Sequence, residues 1–102
     1  MKIAIASNKK GVDESMVCNT AGRSPYYLIF DNKDLVKTIK NPFAVGGGGA
    51  GPAVSKMLAN ENVNIVLCKQ FGEKMISNLK ERGIEVKEVE IVPIKEALEL
   101  VN

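Results

Sequence analysis

The chain contains no histidine, and this single absence removes both the commonest metal ligand and the commonest general base. No serine or cysteine can form the usual nucleophile pair with an imidazole. Cysteine is scarce too: Cys18 and Cys68 are the only two, and they lie far apart in sequence. In a reducing compartment a structural disulfide between them is not expected. Aromatic residues make up 5% of the chain, the net charge is only +2, and no Lys/Arg cluster is present. Such a composition argues against a nucleic-acid partner. No apolar run approaches the length of a membrane span and no signal peptide is visible, so the expectation is a cytoplasmic protein with no membrane partner. The early strands lack a carboxylate cluster that could hold two catalytic metals. The glycine run lacks the Gly-Lys-Ser/Thr ending of a nucleotide P-loop. With no acid–base set in view, the expected protein is not an enzyme.

What is present describes one domain over residues 1–102, with 45% hydrophobic and 25% charged residues. Lys2–Ala6 is a short apolar strand. Ser7–Arg23 reads as a long polar loop. Tyr26–Phe30 is rich in strand formers, Asp31–Asp34 is a turn, and Leu35–Lys40 is the returning strand of a hairpin. Val54, Met57 and Leu58 share one face of a helix from Pro52 to Asn60. Val63–Cys68 is nearly all apolar and therefore central. Phe71, Met75, Ile76 and Leu79 line a second helix, closed by Gly83 at the position after its last turn. Ile84 begins a last strand whose alternation slips at Lys87-Glu88, which predicts a bulge or an early strand end. Pro93 opens a third helix with Ile94, Ala97, Leu98 and Val101 on one face. The order is β-β-β-α-β-α-β-α.

A hairpin followed by helical crossovers makes strands one, three and four run the same way. The loops leaving their C-terminal ends then share one edge of the sheet, where α/β proteins bind ligands. The most unusual stretch, Ala44–Pro52, is one of these loops and holds five of the nine glycines. Gly46, Gly47, Gly48, Gly49, Ala50 and Gly51 lead straight into the helix at Pro52. A side-chain-free backbone at a helix N-terminus can approach an anion with unpaired N–H groups. It can equally serve as a flexible connection. If it is an anion site, Gly46–Gly49 should be mobile without ligand.

The run Gly22-Arg23-Ser24-Pro25-Tyr26-Tyr27-Leu28-Ile29-Phe30-Asp31 closely resembles the "GRxPYFLIxD" stretch of the dinitrogenase iron–molybdenum cofactor biosynthesis family. Gly49-Ala50-Gly51-Pro52 resembles its glycine loop. Val66 to Gly72, then Leu79-Lys80 and Gly83-Ile84-Glu85-Val86, resemble its second half. The resemblance implies a ribonuclease-H-like α/β fold with a mixed five-stranded sheet and helices on its faces. It implies a carrier that binds an iron–sulfur or iron–molybdenum cofactor or precursor and exchanges it with cofactor-assembly proteins. Where the family commonly has histidines, this chain has Thr20 and Gly48. Cys18 and Cys68 lie in the same loop regions and are the candidate soft ligands for iron or a cluster. A buried apolar cysteine and an idle loop thiol are the alternative. Arg23 is the candidate cation for an anionic ligand, or else a surface arginine bonded to its own loop. Tyr26 and Tyr27 face opposite sides of the sheet and suit packing. Asp13 and Glu14 fit a solvated acidic turn better than a hard-cation site. Two functional classes follow: a non-enzymatic cofactor carrier, and a metal-free module that recognises a protein partner or a small anionic ligand.

Overall fold

Five of the six residues of Lys2–Ser7 are buried, which makes this strand, β1, the centre of the molecule. The computed structural model describes residues 1–45 and 50–101. Along the chain follow β2 (Tyr26–Asp31), β3 (Asp34–Lys40), α1 (Ala50–Asn60), β4 (Ile65–Cys68), α2 (Glu73–Glu81), β5 (Glu85–Glu88) and α3 (Ile94–Glu99). The five strands form one sheet in the order β3-β2-β1-β4-β5. The β2 strand is antiparallel to both neighbours, while β1, β4 and β5 are mutually parallel. This is the strand arrangement of a ribonuclease-H-like motif, as the sequence resemblance implies.

Period-two alternation sends the side chains of β1 to two separate cores. Ala4 and Ala6 face α1 and α2, together with Tyr27, Ile29, Val66 and Cys68. Ile3 and Ile5 face α3, together with Leu28, Phe30, Ile65 and Leu67. The two alanines leave room for Val54 and Leu58 of α1 and Met75 and Leu79 of α2, all buried. On the other face, Ile94, Ala97 and Leu98 of α3 close the second core.

The boundaries differ from the periodicity in a few places, each with a local cause. The first helix begins at Ala50, two residues before Pro52. Pro52 still lies in the first turn, where its missing N–H costs nothing. The fourth strand starts at Ile65 because Asn62 adopts φ 60 and Asn64 is tied to Lys2. There Lys2 N donates to Asn64 Oδ1 at 2.7 Å, and Asn64 N donates to Lys2 O at 2.8 Å. The hairpin turn places Asn32 at φ 57, a left-handed conformation that asparagine tolerates. A register shift at Ile29/Phe30 makes the bulge in this hairpin. At Lys87-Glu88 the ladder with β4 is unbroken and the strand ends at Glu88, so of the two outcomes expected there the early end occurs.

Candidate functional site

The segment after β1, which reads as irregular in sequence, is threaded onto the C-terminal ends of the central strands. Cys18 N donates to Ala6 O at 2.8 Å, which continues the β1 edge. Gln70 N donates to Asn19 O at 2.9 Å and Ala21 N to Gln70 O at 3.0 Å, and Thr20 and Gln70 form a parallel bridge. On its other side, Val17 N donates to Val92 O at 2.9 Å. Val17 and Ser15 are buried, and Ser15 Oγ donates to the carbonyls of Lys9 and Gly11. Beneath this layer the buried Tyr27 hydroxyl donates to the Ala21 carbonyl. Tyr27 thus packs and also supports the layer from below, while Tyr26 is half-buried on the opposite face.

Above the Thr20–Gln70 bridge opens a cleft of about 630 Å³. One wall is Thr20–Gly22, the second is Gly51-Pro52 at the start of α1, and the third is Gln70–Met75 at the start of α2. Two helix N-termini therefore meet at one cavity. The amides of a first helical turn have no intrahelical acceptors, and each N-terminus carries a positive partial charge. Gly72 caps α2 without a side-chain hydrogen bond, so the cap residue itself leaves those amides open. The first turn of α1 contains no acidic residue. Glu73 and Lys74 add one charge of each sign at the rim.

Gly51 is what lets the two helices meet. A Cβ placed on it would lie 3.2 Å from Met75 Cβ and 3.4 Å from Met75 N. Its role is thus close packing at the cleft wall, besides any part in a loop. Replacing Gly51 with valine should force α1 and α2 apart and lower the unfolding free energy by about 2 kcal/mol. A urea titration that returned wild-type stability for this variant would contradict the close-packing account.

A second device holds the cleft's outer wall. The buried Asn41 side chain donates to Gly22 O at 3.1 Å and Ser24 O at 2.8 Å, and its Oδ1 accepts from Phe43 N at 2.9 Å. Its backbone N–H donates to Pro25 O at 2.9 Å. One side chain thus clamps the Gly22–Ser24 turn to the loop that leaves β3. Arg23 lies within that clamp, half-buried, and its Nη1 donates to Phe43 O at 3.4 Å. It adjoins the cleft through Gly22 and reaches toward the approach to the glycine run. Gly46–Gly49, and the expectation that they are mobile, lie outside the described residues. Ala50 and Gly51 are the first two residues of α1.

Cys18 and Cys68 are brought together, two residues before Thr20 and Gln70 respectively, beneath the cleft floor. The Cys68 thiol lies 3.0 Å from the Cys18 carbonyl oxygen and donates to it. Cys68 is fully buried, whereas Cys18 is half-buried against the same apolar cluster. Burial pushes the Cys68 thiol up to about 11, with Cys18 and Glu88 adding to the rise. The Gln70 and Lys69 backbone N–H groups pull the other way. At neutral pH Cys68 is therefore a protonated thiol. Among the described residues, no group of three or more His, Cys, Asp or Glu side chains is placed to hold a metal ion. Asp13 pairs with Lys95 at 2.8 Å on an open surface, and the lysine holds its carboxyl below the usual range.

The sequence model of the family described as dinitrogenase iron-molybdenum cofactor matches residues 1–102. The chain belongs to this family. Its fold is shared with several solved structures. The apo form of the orange protein from Desulfovibrio gigas superposes with a TM-score of 0.88 at 23% identity, over 96% of this chain and 83% of that one. A provisional NifB protein from Thermotoga gives 0.81 at 27% identity, over 96% and 84%. A provisional dinitrogenase from Methanocaldococcus jannaschii gives 0.68 at 22% identity, over 98% and 86%. No curated protein matches the chain. Among the described residues, no helix is long and apolar enough to cross a membrane.

Family membership directs attention to the cleft, which the sequence locates only by its edge. Arg23, Ala50 and Gly51 were expected near this edge and lie there. Asn41 and Lys74 carry no motif signal, and Gly72 is marked only as the last residue of the Val66–Gly72 stretch. The N-terminal helical position of Gly72 could have been inferred from the start of the Glu73 pattern.

Proposed function

We propose that the protein is a non-enzymatic carrier whose cargo is an anionic metal cofactor or precursor of the iron–sulfur or iron–molybdenum type. The observation that carries this reading is the meeting of two helix N-termini at one cleft, in a chain of the dinitrogenase iron-molybdenum cofactor family. First-turn amides at helix N-termini stabilise negative charge without a covalent bond, and those of α2 receive no side-chain cap from Gly72. Lys74 at the rim adds a full positive charge, partly offset by Glu73. Arg23 and the glycine run Gly46–Gly49 are further candidate contacts for the cargo, and Asn41 holds the turn that carries Arg23.

Electrostatic holding suits a carrier better than a full set of strong ligands would. A cargo bound by amides and one or two cations can leave when a partner offers stronger ligands. That partner would be a cofactor-assembly protein, exchanging cargo in the cytoplasm. Cys18 and Cys68 are the candidate soft ligands within the chain. For them to serve, the strand ends must open, because Cys68 is buried and protonated.

The test is anaerobic incubation with iron and sulfide, followed by gel filtration and measurement of bound iron and visible absorption. The expected result is a coloured, monodisperse complex. A folded protein that emerges colourless and iron-free would favour the metal-free module instead. Cys18→Ser and Cys68→Ser variants then sort the ligands: undiminished uptake by both leaves the amides and cations as the holding groups.

A further inference from the structure

We propose that Cys18 and Cys68 form a reversible disulfide beneath the cleft floor, so that the chain carries a thiol–disulfide modification site under its cleft. The geometry rests on two contacts at one carbonyl. The oxygen of Cys18 accepts from Cys68 Sγ at 3.0 Å and from Lys69 N at 3.3 Å. The Cys68 sulfur therefore already lies against the backbone of Cys18. Both side chains belong to the core cluster between the sheet and α1/α2, so they are on the same side of the sheet. The buried Tyr27 packs in the same cluster. Forming the bond requires the Cys18 side chain to turn toward the Cys68 sulfur, which already lies against its backbone. Strands that exchange hydrogen bonds lie about 5 Å apart, inside the Cα range that a disulfide spans.

The unequal burial assigns an order to the steps. Half-buried Cys18 meets an external disulfide such as oxidised glutathione first. Its thiolate attacks one glutathione sulfur, forms a mixed disulfide and releases one glutathione thiolate. Cys68 then loses its proton and attacks the Cys18 sulfur, releasing the second glutathione. Overall the two protein thiols give up two electrons, and the external disulfide becomes two thiols. The new bond replaces the Cys68 hydrogen bond to the Cys18 carbonyl and ties the segment after β1 covalently to the end of β4. Thr20 and Gln70, the floor of the cleft, stand two residues beyond each sulfur, so the oxidation state is set directly under the site.

The experiment uses the full chain, incubated with oxidised glutathione, unfolded in an alkylating agent, and mapped by mass spectrometry without reduction. The expected product is a monomer lighter by two hydrogens, with the Cys18 and Cys68 peptides linked. Its Tm should exceed that of the reduced chain by about 10 °C or more, because the bond closes a long loop. Cys68→Ser should instead accumulate glutathione on Cys18, since the resolving thiol is gone. A wild type that also stops at the glutathione adduct overturns the proposal. So does one whose two thiols both remain alkylated, or one that forms only interchain dimers. Because the mapping is read on the wild type, the outcome does not depend on either variant folding. Metal uptake plays no part in the readout, so failure of the carrier reading leaves this result interpretable.

Discussion

Replacing Asn41 by alanine should cost about 3 kcal/mol of unfolding free energy. The residue is 4% exposed and has three side-chain hydrogen bonds, two to carbonyls of the Gly22–Ser24 turn and one from Phe43 N. Alanine removes both partners of none of them. Two carbonyls and one N–H are left in a place where water reaches them poorly, and each unsatisfied group costs roughly 1–3 kcal/mol before relaxation. The Arg23 contact to Phe43 O should loosen with the clamp, so the cleft wall suffers as well as the fold. Urea unfolding of Asn41→Ala at neutral pH measures the loss. A change below 1 kcal/mol would mean that the clamp is dispensable. Asn41→Asp serves as a control: it keeps the acceptor for Phe43 N but replaces two donors with a charge facing two carbonyls, and should be at least as damaging.

Placing a carboxylate in the cleft should weaken binding of an anionic cargo by tenfold to a hundredfold without harming the fold. Gly72 is the position for it. A Cβ there meets nothing within 4 Å, and its φ of −69 and ψ of 151 are open to any residue. Aspartate at a helix N-cap is also favourable, so Gly72→Asp should keep or slightly raise stability. Its carboxylate would accept from the first-turn amides of α2 and occupy what the cargo needs. At a separation of about 6 Å and an effective dielectric near 40, one added charge costs roughly 1.4 kcal/mol per cargo charge, which is tenfold. Iron and sulfide uptake by wild type and variant gives the comparison. Equal uptake by two equally stable proteins would place the cargo elsewhere. The variant separates binding from folding, which Gly51→Val cannot do, because Gly51 is both cleft wall and helix contact.

The strands and helices were legible because their signals are local. Lys2–Ala6 and Tyr26–Phe30 carry strand formers, and Val54, Met57 and Leu58 recur at helical spacing. The hairpin and crossovers then follow from chain order, which is enough to bring Cys18 and Cys68 to one edge. The site was less legible for the opposite reason. The Thr20–Gln70 bridge, the Asn41 clamp and the Gly51–Met75 approach each join residues far apart in sequence, and none leaves a periodicity. Asn41 in particular reads as the turn before Pro42, which is true and hides its tertiary role. Gly51 reads as the last member of a flexible run, whereas packing against Met75 requires its lack of a side chain. The Ser7–Arg23 segment reads as an irregular loop because its hydrogen bonds are spread over several partners, among them β1, the residues after β4, Val92 and Ile94, and not over a single strand.

Location of the cargo within the molecule tests the central claim most directly. An isotope-labelled sample is titrated anaerobically with iron and sulfide, and the backbone amide resonances are followed for paramagnetic broadening. The account predicts that Thr20–Gly22, Gly51 and Glu73–Met75 broaden first, while β5 and α3, on the far edge and the far face, stay sharp. Broadening centred on α3 or on the outer edge at β5, with the Gly51 and Glu73–Met75 amides unchanged, would contradict it.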